Sequence, residues 1–338
     1  MMERFHTLAA PEELKIGMID MRRDENPIFI GSPFFGYPSL DIEGNKRIKT
    51  NNLLILDLNV ISFIRQRKNK TNIRQLLTWA SLLDLEVTPI VGISEQYRSH
   101  ANPGVAFKRY IQILREDYFY DLPEEEIERL TRVFTEYSPD IENNTGIFRD
   151  YLIVIKYFYQ KKWVLEKKVE QFAIMVHKRN IPVLAFAFLL GCIYFYVKDN
   201  PRNFTQKIVS KVQSDMSISP NKEEKRLWNV ASDIMLFMAP AELFYNYQAN
   251  EYNFSYVASG DVTAGLILSE LCYGQVVVNQ NTCYGMAGFR PRGASSAVLV
   301  PLVQRYLQQS PQHSFTRAGN HDPRRNNLME LANELQES

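Results

Sequence analysis

Cysteine is scarce in this chain: Cys192, Cys272 and Cys283 are three in 338 residues. So few, so widely spaced, exclude a disulfide framework and a cysteine-built zinc site. A reducing cytoplasm is the simplest compartment to expect. Excess charge of either sign is missing too. The chain has 39 Lys and Arg against 38 Asp and Glu, a formal net charge of +1, so any basic surface must be local. The N-terminus, MMERFHTLAAPEELK, lacks the apolar core of a secretory signal, and secretion is not expected. No internal repeat or low-complexity tract is visible. Long apolar runs are rare. PVLAFAFLLGCIYFYV at 182–197 falls short of the roughly 20 residues that a spanning helix needs. It predicts a buried core helix and no membrane partner.

What is present is a globular composition, 45% hydrophobic and 23% charged, with room for a core and more than one domain. The organising stretch is LLILDLNVI, Leu53 to Ile61. Its apolar run, Leu53–Leu56, fits a strand buried on both faces, as in a parallel sheet. Asp57 would then stand at the carboxyl end of that strand, where open α/β sheets bind ligands.

Residues 1–50, rich in Pro, Gly and aromatics, predict an extended N-terminal arm. After Asp57 come Arg65, Arg67, Lys68 and Lys70, then a helical pattern through Ile73, Leu76, Leu77, Ala80 and Leu83, capped by Thr71 or Asn72. LEVTPIVG, 85–92, reads as a second strand, with Glu95 just beyond it. Residues 103–228 read as a helical insertion, with one helix starting near Pro123 and Glu124. NVASDIMLFMAPAELFYNY, 229–247, reads as a helix with Asp233 in its first turn, capped by Ser232. Phe254–Ala258 reads as a strand leading to Asp261. Val262–Cys272 reads as a helix stopped by Gly274, and Gln275–Asn279 as a last parallel strand of a βαβ unit. Beyond about 283 the pattern loses order, with a helix within 294–308 and a mobile end from Gln309.

For any one of these acids the plainer reading is a helix cap or a turn former. Together, Asp57, Glu95, Asp233 and Asp261 predict a carboxylate cluster. Two unit charges about 4 Å apart repel by roughly 4 kcal/mol at an effective dielectric of about 20, so such a cluster needs protons or a cation. Oxygen ligands alone select Mg²⁺ or Mn²⁺, ions suited to phosphodiester hydrolysis.

These residues resemble the motifs of the PIN domain, a metal-dependent nuclease family. DLNVI at 57–61 is close to its opening motif, with Asp57 as first metal ligand and Asn59 as the polar brace. SEQYR at 94–98 looks like the second element, with Glu95 as its acid. SDIMLFMA at 232–239 is similar to the third, and SGDVTAG at 259–265 to the fourth, Ser259 standing for the usual Thr and Asp261 for its first Asp. The second Asp of that motif is Thr263 here, and the Glu95–Asp233 interval is longer than usual. The resemblance implies a PIN-like three-layer α/β fold with a central parallel sheet, formed by 51–102 plus 229–282 and interrupted by the helical insertion, with 283–338 as an extension. It implies a Mg²⁺- or Mn²⁺-dependent endonuclease acting on RNA, or DNA, of toxin or RNA-processing type. An inhibitor or antitoxin protein and a second copy of the chain are the implied partners. Arg65, Arg67, Lys68, Lys70 and Arg98 are the candidate phosphate contacts. The rival reading is a catalytically inactive PIN-like scaffold that binds a partner. A haloacid-dehalogenase-type phosphatase needs an Asp where Asn59 stands, and a dinucleotide enzyme needs a Gly-rich turn that DLNVISFIRQ lacks. The aromatics of YFYQKKW, 157–163, beside Lys161 and Lys162, can stack bases or pack a helix core.

Overall fold

The structure is a computed structural model that describes residues 4–9, 28–34, 37–39, 49–95, 103–120, 124–217, 223–246, 251–279, 282–307 and 323–337. Arg98 and the segment 308–322 lie outside these. The chain is mixed α/β and divides into two compact units. The first holds Met1–Asn144, Met235–Gly265 and Gln275–Gly285; the second holds Thr145–Ile234, Leu266–Gly274 and Met286–Ser338.

In chain order the first strands are β1 (Arg4–Ala9), β2 (Phe29–Gly31), β3 (Tyr37–Ser39) and β4 (Lys49–Leu56). Helices α1 (Leu58–Arg65) and α2 (Lys70–Leu82) lead to β5 (Leu85–Thr88), α3 (Ile90–Glu95), α4 (Pro103–Tyr118) and α5 (Glu124–Gln160). Then come α6 (Leu165–Lys178), α7 (Ala185–Asp199), α8 (Gln206–Asp215) and α9 (Glu223–Glu242). The chain continues through β6 (Tyr245–Asn246), β7 (Glu251–Ser259), α10 (Val262–Glu270), β8 (Leu271–Asn279), β9 (Thr282–Phe289), α11 (Ser296–Leu307) and α12 (Arg324–Glu337).

The first unit is built on a five-stranded sheet of order β2-β7-β4-β5, with β6 also on β7. β4 is central and parallel to both neighbours, Leu54 facing Val87 on β5 and Tyr256 on β7. Leu54, Ile55 and Leu56 are fully buried, as an apolar run inside a parallel sheet should be. Each contributes about 1.5–3 kcal/mol by leaving water. Val60, Ile61 and Ile64 of α1, Ile73 and Leu76 of α2, and Phe107, Tyr110 and Leu114 of α4 complete this core.

Several expectations are corrected. The β5 strand stops at Thr88 because Pro89 follows: the Ile93 N–H donates to the Pro89 carbonyl at 2.9 Å, opening α3 across a stretch that looked β-branched. Described parts of 1–50 are strands built into sheets rather than an extended arm; Phe29–Gly31 pairs antiparallel with Val257–Ser259, and Ile28, Ile30 and Phe34 are buried. α4 and the start of α5 share the first unit's core, so 103–228 is not one inserted body. α5 continues unbroken from Glu124 to Gln160. α2 has Asn69, in a left-handed conformation, at its N-cap position, with no side-chain cap from Thr71 or Asn72.

The expected βαβ unit at 254–279 does not form. α10 runs into β8 with no intervening loop, whereas a parallel crossover needs a connection of about a dozen residues or more. β8 joins a separate four-stranded sheet, β3-β1-β8-β9, antiparallel to β1, and Gly274 is an interior strand residue rather than a helix stop. The 294–308 helix is present as α11; β9 had no clear signal.

In the second unit, α7 takes up the long apolar run, with Phe186–Val197 buried throughout. Phe172 of α6 stacks on Phe188 at 4.7 Å and meets Tyr151, Phe158 and Phe195. No helix among the described residues is long and apolar enough to cross a membrane.

Gly92 of α3 lies against the start of α1. A Cβ there would stand 2.6 Å from the Leu58 nitrogen and 2.8 Å from the Asp57 carbonyl carbon. These are backbone atoms that cannot swing aside. Gly92→Ala is expected to lower unfolding free energy by about 1–3 kcal/mol, the usual cost of overpacking, measured by urea denaturation. A variant as stable as wild type would show that α3 can move off α1.

Candidate functional site

The Asp57 N–H donates to the Ala258 carbonyl at 2.9 Å, continuing the β4–β7 ladder. α1 begins at the next residue, so Asp57 occupies its N-cap position. The carboxylate turns toward β7 rather than capping the helix. The Ser259 hydroxyl donates to Asp57 Oδ2 at 2.5 Å, and Asn59 Nδ2 donates to the same oxygen at 3.0 Å. Ser259 is aimed in turn: the Asp261 N–H donates to Ser259 Oγ at 3.0 Å, leaving the hydroxyl proton for Asp57. The Thr263 N–H donates to Asp261 Oδ1 at 2.6 Å, so Asp261 caps α10. The ends of the two parallel strands are therefore laced through side chains.

Asp57 is 5% exposed. Burial pushes its carboxyl above the usual carboxylate range; the hydrogen bonds from Ser259 and Asn59 pull it back, and the nearby charge of Asp261 pushes it up again. The Phe63 ring lies across the turn between the acids. A Cβ on Gly260 would stand 3.0 Å from Phe63 Cε2 and 3.6 Å from Asn59 Cβ, so only glycine fits without displacing the ring.

Of the four predicted acids, the structure brings together Asp57 and Asp261. Glu95 is the last residue of α3, a helix beyond the strand end. Asp233 lies on α9. It is buried in the interior of α9, which begins ten residues earlier at Glu223, so Ser232 is no N-cap. Among the described residues, no group of three or more His, Cys, Asp or Glu is placed to hold a metal ion. Thr263 is buried, 2% exposed.

No family model, curated protein or solved structure matches this chain. The likeness to PIN domains rests on the short motifs alone.

The basic stretch is largely committed to α4. Arg67 pairs with Glu116 at 2.9 Å and with Asp117 at 3.2 Å, and Lys70 reaches Asp117 at 3.6 Å. Lys68 is exposed and Arg65 half-buried. Acids on a helix nearly 50 residues away lower the local field that these residues suggested. The close approaches at Gly92 and Gly260 escaped sequence reasoning; the glycines in VGISE and SGD were the only signal, and neither spacing distinguishes a contact from a turn.

A carboxyl that titrates above its ordinary value in the folded chain makes the folded state bind more protons than the unfolded state between the usual value of 3.8 and the raised one. Stability from this group is therefore greatest below that window and falls as pH rises through it. Asp57→Asn keeps an acceptor for Ser259 and Asn59 and removes the titration. In thermal unfolding with a chelator present, the variant should gain on wild type as pH rises from the usual carboxyl value of 3.8 through the raised one. A difference independent of pH would show that Asp57 titrates normally.

Proposed function

We propose that the carboxyl edge of the five-stranded sheet binds a divalent cation and the phosphate of a nucleic acid, and that the chain is a Mg²⁺- or Mn²⁺-dependent endonuclease of PIN-like architecture, acting on RNA. The observation that carries this reading is the delivery of Asp57 and Asp261 to one edge of the sheet by adjacent parallel strands. The donor set fits a cation of limited demand. Mg²⁺ commonly takes one or two protein carboxylates and completes its shell with water and substrate phosphate. Bound there, such an ion supplies an activated water and neutralises charge on the phosphate and the leaving oxygen.

The chain's own residues set the geometry. Asn59 and Ser259 fix one carboxylate oxygen of Asp57, and Thr263 fixes one of Asp261. These bonds remove rotamer freedom from both acids, as a preorganised site requires. The raised Asp57 pKa makes occupancy pH-dependent, because a protonated carboxyl is a poor ligand.

A second reading is favoured by that same burial. A buried Asp57 whose hydrogen bonds tie β4 to β7 suits a non-catalytic scaffold that presents its surface to a partner.

One experiment separates the two. Mn²⁺ and Mg²⁺ binding by calorimetry is combined with cleavage of single-stranded and structured RNA by wild type, Asp57→Asn and Asp261→Asn. The nuclease reading expects metal-dependent cleavage that falls at least about a hundredfold in both variants, the scale of losing one charge-stabilising group, with folding retained. No metal heat and no cleavage by wild type would establish the scaffold.

A further inference from the structure

The segment YFYQKKW divides in the structure. Phe158 and Tyr159 are buried in the second unit, while Tyr157 and Trp163, each with its ring against Phe158, are half-buried where α5 ends and α6 begins. Each of these rings carries an ammonium. Lys161 Nζ stands 4.0 Å from the Tyr157 centroid, and Lys167 Nζ 5.5 Å from that of Trp163. Lys162 beside them is exposed.

The end of α7 meets the same corner. Lys198 Nζ donates to the Tyr159 carbonyl and lies over its ring, and Lys168 Nζ pairs with Asp199 Oδ1 at 2.7 Å. In residues 157–168 and 198–203, Lys161, Lys162, Lys167, Lys168, Lys198 and Arg202 outnumber Glu166 and Asp199. Asp199 is already taken by Lys168. Burial, and then the Lys168 charge, hold the Lys198 ammonium below its usual range, against the opposite pull of Asp199. Capping of a helix C-terminus accounts for Lys198. The same end effect favours Lys161 and Lys162 just past Gln160 of α5, but not Lys167, which stands in the first turn of α6 where the helix end is positive.

We infer that this corner binds single-stranded nucleic acid, with Lys161, Lys162 and Lys167 meeting phosphates and Tyr157 and Trp163 stacking bases. Aromatic faces interleaved with cations are the arrangement that holds unpaired bases without reading their sequence. An anionic lipid surface would use the same charge. It asks for a broader apolar tip than the exposed Val164 supplies. The inference is independent of the acid pair at the sheet edge.

The test uses the full chain with a chelator present, so that no cleavage intervenes. Fluorescence anisotropy measures binding of labelled oligo(U), oligo(dT) and a duplex, each of about twelve nucleotides. Vesicles of phosphatidylserine and phosphatidylcholine are measured in parallel by flotation. Both single strands should bind, more tightly than the duplex. The combined Lys161→Ala, Lys162→Ala and Lys167→Ala variant should lose at least about tenfold in affinity and flatten the log–log salt dependence by about two, from some 0.7 per phosphate contact. Trp163→Leu should weaken binding about tenfold and leave that slope unchanged. Trp163→Phe should retain most of the affinity, which guards against a folding defect. Single-strand binding unchanged in the lysine variant, binding to vesicles alone, or no binding to either would overturn the inference.

Discussion

A carboxylate cannot stay charged in an apolar interior without partners, and β4 delivers Asp57 into one. Moving such an ion out of water costs several kcal/mol in real proteins. Hydrogen bonds to a charged group return about 1.5–3 kcal/mol each, and Asp57 Oδ2 receives two, from Ser259 and Asn59. Opposing them, Asp261 adds repulsion. The balance leaves the carboxyl titrating high, so a proton or a cation is the natural complement of this edge. The neighbouring structure follows from the same placement. Gly92 lets α3 close on the Asp57 backbone, Gly260 makes room for Phe63, and Asp261 caps α10 while orienting Ser259.

The strand itself was legible because its signal is strong and local. Four apolar residues followed by an acid have few other homes, and Leu54–Leu56 are buried between parallel neighbours as that pattern requires. The meeting of Asn59, Ser259 and Asp261 with Asp57 was expected only through the likeness of short motifs to those of PIN domains, since each acid alone reads as well as a helix cap. What failed was decided elsewhere in the chain or by a single residue. Pro89 ended a β-branched run and started α3. α9 began at Glu223, where Glu223 and Glu224 suit the positive end of the helix, so Asp233 fell in its interior rather than its first turn. The β8 residues looked like a partner of β7, but the missing loop after α10 sent them to β1, more than 260 positions away in sequence. Pairings of that span leave no local trace.

The electrostatics of the whole chain hid its local pattern. A net charge of +1 is compatible with two very different surfaces. Around α1, Arg67 and Lys70 meet Glu116 and Asp117 of α4, and the basic run is largely neutralised. Such exposed pairs contribute little to stability, typically below about 1 kcal/mol, but they do cancel the field that an anion would feel. Around the α5–α6 corner Lys161 and Lys167 sit on aromatic rings, while Lys168 is paired with Asp199. A ring attracts an ammonium without cancelling its charge, so the field survives.

Thr263 links the geometry of the acid pair to its chemistry. The residue is 2% exposed, and its N–H is held by Asp261 Oδ1. A second aspartate there would be a buried carboxylate beside Asp261 and near the already strained ionisation of Asp57. At roughly 4 kcal/mol per close like-charge pair for an effective dielectric of about 20, three acids would need a permanently bound cation to keep the edge folded. With threonine the repulsion is between two groups only, and a single proton on Asp57 relieves it.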